Sequence, residues 1–141
     1  MTMRSLITAV LVTLVSTPVL AVCPGSDAVA APGIDLEKGR RAFLKCRACH
    51  SVAQGDKNLV GPNLWNVFTR PALGATGFSY SPAFSAARIR WNAASINSFI
   101  EKPSKHVAGT RMIFAGIADP LERANVIAWL AGATGCSGAA K

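Results

Sequence analysis

The segment Cys46-Arg47-Ala48-Cys49-His50 constrains the fold of this chain more than any other stretch. C-x-x-C-H is the sequence signature of covalent c-type haem attachment. Two thiols three positions apart at a helix end lie on one face, where each can add across a vinyl group of the porphyrin. The residue that follows offers an imidazole to the iron. Two other chemistries compete for the same residues. A thioredoxin-like C-x-x-C couple needs a β-α-β context that the flanking sequence lacks, and half of a zinc site needs a second ligand pair.

The N-terminus reads as an address. Arg4 precedes an apolar run from Leu6 to Val15, then Ser16-Thr17-Pro18 and the small residues around Ala21, the layout of an export signal. Cleavage after Ala21 fits the small-residue rule, with Ala28-Val29-Ala30 as a second candidate. An uncleaved anchor needs about 20 apolar residues, and Pro18 with the short run argues against a spanning helix. Residues 1–21 are therefore expected to be a cleaved signal, residues 22–34 a linker, 35–136 the folded domain and 137–141 a tail. Export to an oxidising compartment, the periplasm of a bacterium, permits a disulfide between Cys23 and Cys136, provided cleavage precedes Cys23.

Charge is one-sided: 15 Lys+Arg against 7 Asp+Glu give +8, so acidic partners are expected. The basic residues are scattered singly and no nucleic-acid-binding motif accompanies them, which excludes a nucleic-acid partner.

The helix signals are local and mostly caps. Asp35 can cap a helix running through Phe43 and Leu44 to the haem cysteines. Ser81-Pro82 starts a short helix, and Asn92 begins another that Pro103 stops. Asp119-Pro120-Leu121-Glu122 opens a final helix through Trp129 to about Gly132. Between Ser51 and Ser79 there is no sustained period, and so long a loop is expected only where something organises it. A bound haem would do so. No strand alternation is evident, and the fold class is all-α with long irregular loops.

A six-coordinate iron needs a second protein ligand. The chain has two histidines, so His106 is the one alternative to His50, and past the leader the methionines reduce to Met112 in Gly109-Thr110-Arg111-Met112. Composition leaves both open, because a lone Met is ordinarily core filler.

In order along the chain stand Gly39, Cys46 to His50, Gly61-Pro62-Asn63-Leu64, Arg70, Gly77-Phe78-Ser79-Tyr80-Ser81, Trp91, Pro103, Gly109 to Met112, Arg123 and Trp129. With this set the chain resembles a class I cytochrome c, of the soluble bacterial and mitochondrial-like, cytochrome c2-like type, from Leu36 to Ala133. The resemblance implies a fold of three to five helices with long loops wrapped around one haem c, joined through Cys46 and Cys49. It implies His50 and Met112 as the iron ligands and the Pro62 carbonyl as acceptor of the other His50 ring proton. Arg70, Tyr80 and Trp91 match positions that hydrogen-bond or neutralise a haem propionate. Gly39 and Trp129 match the crossing of the first and last helices.

The implied function is that of a soluble, monomeric one-electron carrier rather than an enzyme. A thioether favours Fe(II) relative to Fe(III), and two protein ligands leave no open site for substrate. Lys45, Arg47, Lys105 and Arg111 flank the haem motifs and would steer acidic redox partners to the exposed edge. By analogy these are a quinol:cytochrome c reductase, a terminal oxidase or a periplasmic dehydrogenase. Two alternatives stand beside this: a haem enzyme or gas binder with a dissociable Met112, and a dedicated dehydrogenase subunit. For the latter, Trp65 and Phe68 are the apolar anchors on offer if they are not packed on haem or core. The chain departs from its relatives at Asn66 and Thr69, where glycines are common. It departs again at Phe99, aligned with a tyrosine that reaches the methionine sulfur, and at Ala108, where Pro is frequent. The methionine loop is expected to be less rigid for it.

Overall fold

The computed structural model describes residues 32–136. The expected leader (residues 1–21), most of the expected linker with Cys23, and the expected tail from residue 137 onward lie outside the described residues. Five helices occur among the described residues: α1 (Leu36–Arg47), α2 (Pro82–Ala86), α3 (Ala93–Glu101), α4 (Pro103–His106) and α5 (Pro120–Ala133). No described residue is in a strand, and no described helix is long and apolar enough to cross a membrane.

The caps sit where the sequence places them. The Asp35 carboxylate accepts from the Lys38 amide at 2.9 Å, satisfying one of the orphan donors of α1. Asn92 and Ser95 form a reciprocal capping box on α3. Ser81 caps α2, and Asp119 accepts from Leu121 at the start of α5. Pro103 does end α3, but at the first position of α4 it also starts a new turn that the sequence did not announce. The last helix runs through Gly132 to Ala133 and gives way to Gly135 in the left-handed region, φ 79°.

The fold is held by the crossing of α1 over α5. A Cβ built on Gly39 would lie 2.1 Å from the Asn125 carbonyl oxygen and 2.8 Å from Trp129 Cβ. Only glycine lets the two backbones come this close. The Asp35 amide donates to Asn125 Oδ1 at 2.9 Å, and the Phe43 and Trp129 rings lie 4.7 Å apart. Lys45 pairs with Glu122 at 2.5 Å on the rim of the same contact. Behind the crossing, Phe43, Val67, Phe68, Ile96, Ile117, Val126, Ile127 and Leu130 form one buried cluster. Burying a side chain of this size is worth about 1.5–3 kcal/mol relative to exposure. Phe68, at 4% exposed, belongs to this core, and Trp65 is half-buried with its ring against Gly135. Neither is an exposed anchor.

Candidate functional site

The last turn of α1 carries the attachment motif. The Cys49 and His50 amides both donate to the Cys46 carbonyl at 2.9 Å, so the motif is wound as the terminal turn of the helix rather than splayed into the loop. Both cysteines are free and half-buried. Burial pushes the Cys46 thiol up to about 11. Among the described residues no group of three or more His, Cys, Asp and Glu is arranged to hold a metal ion, so the second ligand pair that a zinc site needs does not stand beside Cys46 and Cys49. Cys136 is disulfide-bonded, while Cys23, its expected partner, lies outside the described residues.

His50 is oriented from two sides. Its Nδ1 donates to the Pro62 carbonyl at 2.7 Å, which leaves Nε2 as the acceptor. A Cβ on Gly61 would lie 2.4 Å from the ring Cε1, so the neighbouring residue must be glycine for the ring to lie where it does. Burial lowers the tendency of this imidazole to take a proton, opposed by the Pro62 hydrogen bond. A neutral ring with a free Nε2 is the form that binds a metal.

Beside His50 opens a cavity of about 570 Å³, within the range of small-molecule and cofactor sites. Its walls are chiefly apolar: Phe43, Leu64, Val67, Phe78, Phe84, Ile96, Phe99, Phe114, Val126 and Leu130 all reach it. Cys46, Cys49, His50, Pro62, Arg70, Tyr80, Trp91 and Met112 line it too, so the sequence-derived set converges on one space from six places along the chain. His106 is exposed, with its ring edge-on to Phe99 at 5.9 Å, and does not line the cavity.

Three of these residues have partners that qualify their expected roles. Arg70 is tied to the loop by Nε to the Trp65 carbonyl at 3.0 Å and Nη2 to the Asn63 carbonyl at 2.8 Å. Its Nη1 is buried without a partner. An unpaired guanidinium nitrogen in an apolar cavity fits an anionic group, and a haem propionate is such a group. The Tyr80 hydroxyl accepts from the Ala75 amide at 3.3 Å and keeps its proton available. Trp91 packs on Phe84 and Phe99, at 6.0 and 5.2 Å between ring centroids, within an aromatic wall that the sequence did not reveal as one unit.

Asn63 does more than its place in a G-P-N-L motif suggests. Its Nδ2 donates to Ser51 Oγ, the Ala53 carbonyl and the Asp56 carbonyl, and its Oδ1 accepts from the Trp65 amide at 2.6 Å. One amide side chain therefore ties the segment after His50 to the segment after Pro62. Asn66 takes φ 55°, the left-handed conformation that asparagine, after glycine, adopts most readily. The cavity fits a flat, largely apolar group with an anionic margin, held by two thiols and an imidazole.

The comparisons agree with the geometry. The chain is 43% identical over 94 residues to a "Cytochrome c homolog" of Rickettsia bellii, covering 67% of this chain and 54% of that protein, about half its length. It is 42% identical over 96 residues to "Cytochrome c2" of Rhodoblastus acidophilus, covering 68% of this chain and 90% of that protein. Among solved structures, cytochrome cH from Methylobacterium extorquens is similar with a TM-score of 0.65 at 36% identity, covering 70% of this chain and 98% of that one. No family model matches the chain.

Proposed function

This chain belongs to the class I c-type cytochromes, and we propose that it is a soluble, exported electron carrier in which His50 and Met112 would hold the iron of one haem c. The haem is joined through Cys46 and Cys49; when bound it supplies one-electron Fe(II)/Fe(III) exchange. The observation that carries the ligand assignment is that Met112, the sole methionine past the leader, lines the same cavity as His50, whereas His106 does not.

The residues divide the work. Pro62 fixes the His50 tautomer and ring plane, and Gly61 leaves the ring room. Met112 is presented from the strap between α4 and α5, where its amide donates to Thr110 Oγ1 at 3.2 Å. Phe43, Leu64, Val67 and Leu130 exclude water from the interior of the cavity. The partnerless Arg70 Nη1 offers a donor to a propionate, with Tyr80 and Trp91 lining the same cavity. Two side chains that line the cavity are nonetheless highly exposed, Val60 at 82% and Ile113 at 102%, and they mark its mouth.

With His50 and Met112 both holding it, the iron would have no place left for a substrate, which is the reason for reading a carrier and not an enzyme. Arg47, Lys105 and Arg111 are exposed and supply a positive field for acidic redox partners, while Lys45 is partly engaged by Glu122. A quinol:cytochrome c reductase, a terminal oxidase or a periplasmic dehydrogenase has the required chemistry. The testing experiment is an optical spectrum of the exported protein, oxidised and reduced, with and without carbon monoxide, beside Met112→Ala. The expected result is a low-spin wild type with the weak long-wavelength methionine-to-iron band and no carbon monoxide response, and a responsive variant. Ready uptake of carbon monoxide by the wild type at neutral pH would overturn the carrier reading in favour of an open haem site.

A further inference from the structure

The strap that carries Met112 is held by exposed contacts at one end and buried ones at the other. On the upstream side, Thr110 donates its amide to the Val107 carbonyl at 3.1 Å, Gly109 turns with φ 82° beside the exposed Ala108, and the exposed Arg111 donates from Nη2 to the Ser79 carbonyl. On the downstream side the Ile117 amide donates to the Ile100 carbonyl at 2.9 Å, at the end of α3. Gly116, at φ 101°, passes so close to that helix end that a Cβ would lie 2.0 Å from the Glu101 carbonyl oxygen.

The carbonyls that follow are gripped by a buried cation. Arg123 of α5, 7% exposed, donates from Nη1 to the Ile117 carbonyl at 2.8 Å and the Ala118 carbonyl at 2.7 Å. Its Nε donates to Asn97 Oδ1 on α3 at 2.9 Å. No carboxylate pairs with it among the described residues. A guanidinium is planar, so fixing Nε fixes the plane in which Nη1 must find both carbonyls. A buried charge without a counter-ion depends on every dipole aimed at it.

We propose that Asn97 and Arg123 are positioning residues for the distal iron ligand: Asn97 sets the guanidinium plane, Arg123 holds the Ile117 and Ala118 carbonyls, and this clamp keeps Met112 on the iron. The proposal rests on the reading of Met112 as that ligand. Neither residue lines the cavity, so neither acts by touching the haem. With the clamp cut, the downstream end keeps only the Ile117 amide bond to the Ile100 carbonyl, and the strap loses its buried anchor.

The test compares haem-loaded wild type, Asn97→Ala, Asn97→Asp, Arg123→Lys and Met112→Ala. The readouts are carbon monoxide uptake by the reduced protein at neutral pH, the long-wavelength band of the oxidised protein, and global unfolding in guanidinium. Loss of one hydrogen bond in the clamp is expected to raise carbon monoxide uptake about tenfold in Asn97→Ala. Asn97→Asp accepts the same Nε proton and should restore wild-type uptake. Arg123→Lys keeps the charge but not the fork, and should behave like Asn97→Ala or worse. Uptake in Asn97→Ala equal to wild type, or a rise matched by an equal fall in global stability, overturns the clamp. If Met112→Ala leaves spectrum and uptake unchanged, it is the ligand assignment that fails, and the positioning role falls with it. If Met112→Ala opens the iron and Asn97→Ala does not, the ligand assignment stands and the clamp alone is wrong.

Discussion

The α1–α5 crossing and the loop cradle between residues 51 and 80 are built from different materials. The crossing is two regular helices whose backbone groups are satisfied internally, pressed together at Gly39 and sealed by the Phe43–Trp129 contact. The cradle has no helix between residues 51 and 80 and is tied by isolated backbone turns and by side chains reaching across: Asn63 to two carbonyls and a hydroxyl, Asn58 to Thr76 and Arg70 to Trp65. The first region stabilises itself. The second leaves a 570 Å³ apolar space and an unpaired Arg70 nitrogen, and becomes a complete interior only around its cofactor. Damage to the crossing should therefore be felt as stability, and damage to the cradle as spectroscopy.

The largest expected effect breaks the crossing. Gly39→Ala sets a methyl 2.1 Å from a backbone oxygen that cannot move without moving α5. Overpacking of this kind costs about 1–3 kcal/mol and more where backbone must shift, so a loss of about 3 kcal/mol is expected in guanidinium unfolding of the haem-loaded protein. Unfolding indistinguishable from wild type would mean that the two helices can separate freely.

A smaller global effect with a larger local one is expected in the cradle. Gly61→Ala sets its methyl 2.4 Å from His50 Cε1. The ring must rotate off its Pro62 hydrogen bond, and an altered low-spin spectrum should appear while unfolding shifts by only about 1 kcal/mol, the net worth of one hydrogen bond. A drop in stability as large as that of Gly39→Ala would erase the contrast between the two regions.

The smallest effect belongs to the cap at the head of the crossing. The carboxyl of Asp35 is held below its ordinary 3.8, first by the Lys38 amide it accepts, with desolvation opposing and the Lys38 charge assisting. A carboxylate lowered on folding contributes above its ordinary value and loses that contribution as pH falls through the lowered one. Wild type should show a slight extra decline in stability below pH 3.8 that Asp35→Asn, also a good cap, does not. Identical acid limbs in the two proteins would show that the cap has no charge-dependent part.

What could be read from the sequence was whatever is local or strictly ordered. Asp35, Ser81, Asn92 and Asp119 announce their helices because a cap acts within three residues. The all-α class and the attachment turn follow from those caps and from C-x-x-C-H. Helix α4 went unannounced because four residues carry no period. The Asn63 ties and the Asn97–Arg123 clamp join segments far apart in the chain, and no spacing rule connects position 97 with 123 and 117. Exposed Ile113, beside the iron-ligand candidate, breaks the usual pattern in which an apolar residue marks the interior.

Because α1 and α5 meet, residues 90 positions apart share a hydrogen bond, Asp35 with Asn125, and the chain between them is a closed circuit. In such a circuit length is cheap. Doubling a flexible loop adds only about 0.6 kcal/mol to the cost of closing it. Insertions and deletions at the exposed stretch between Pro71 and Gly74 can be accommodated while the clasp and the Asn63 ties stay where they are. The length of that tip is thus decoupled from the core: the helix crossing bears the cost of closure once, whatever the stretch between Pro71 and Gly74 contains.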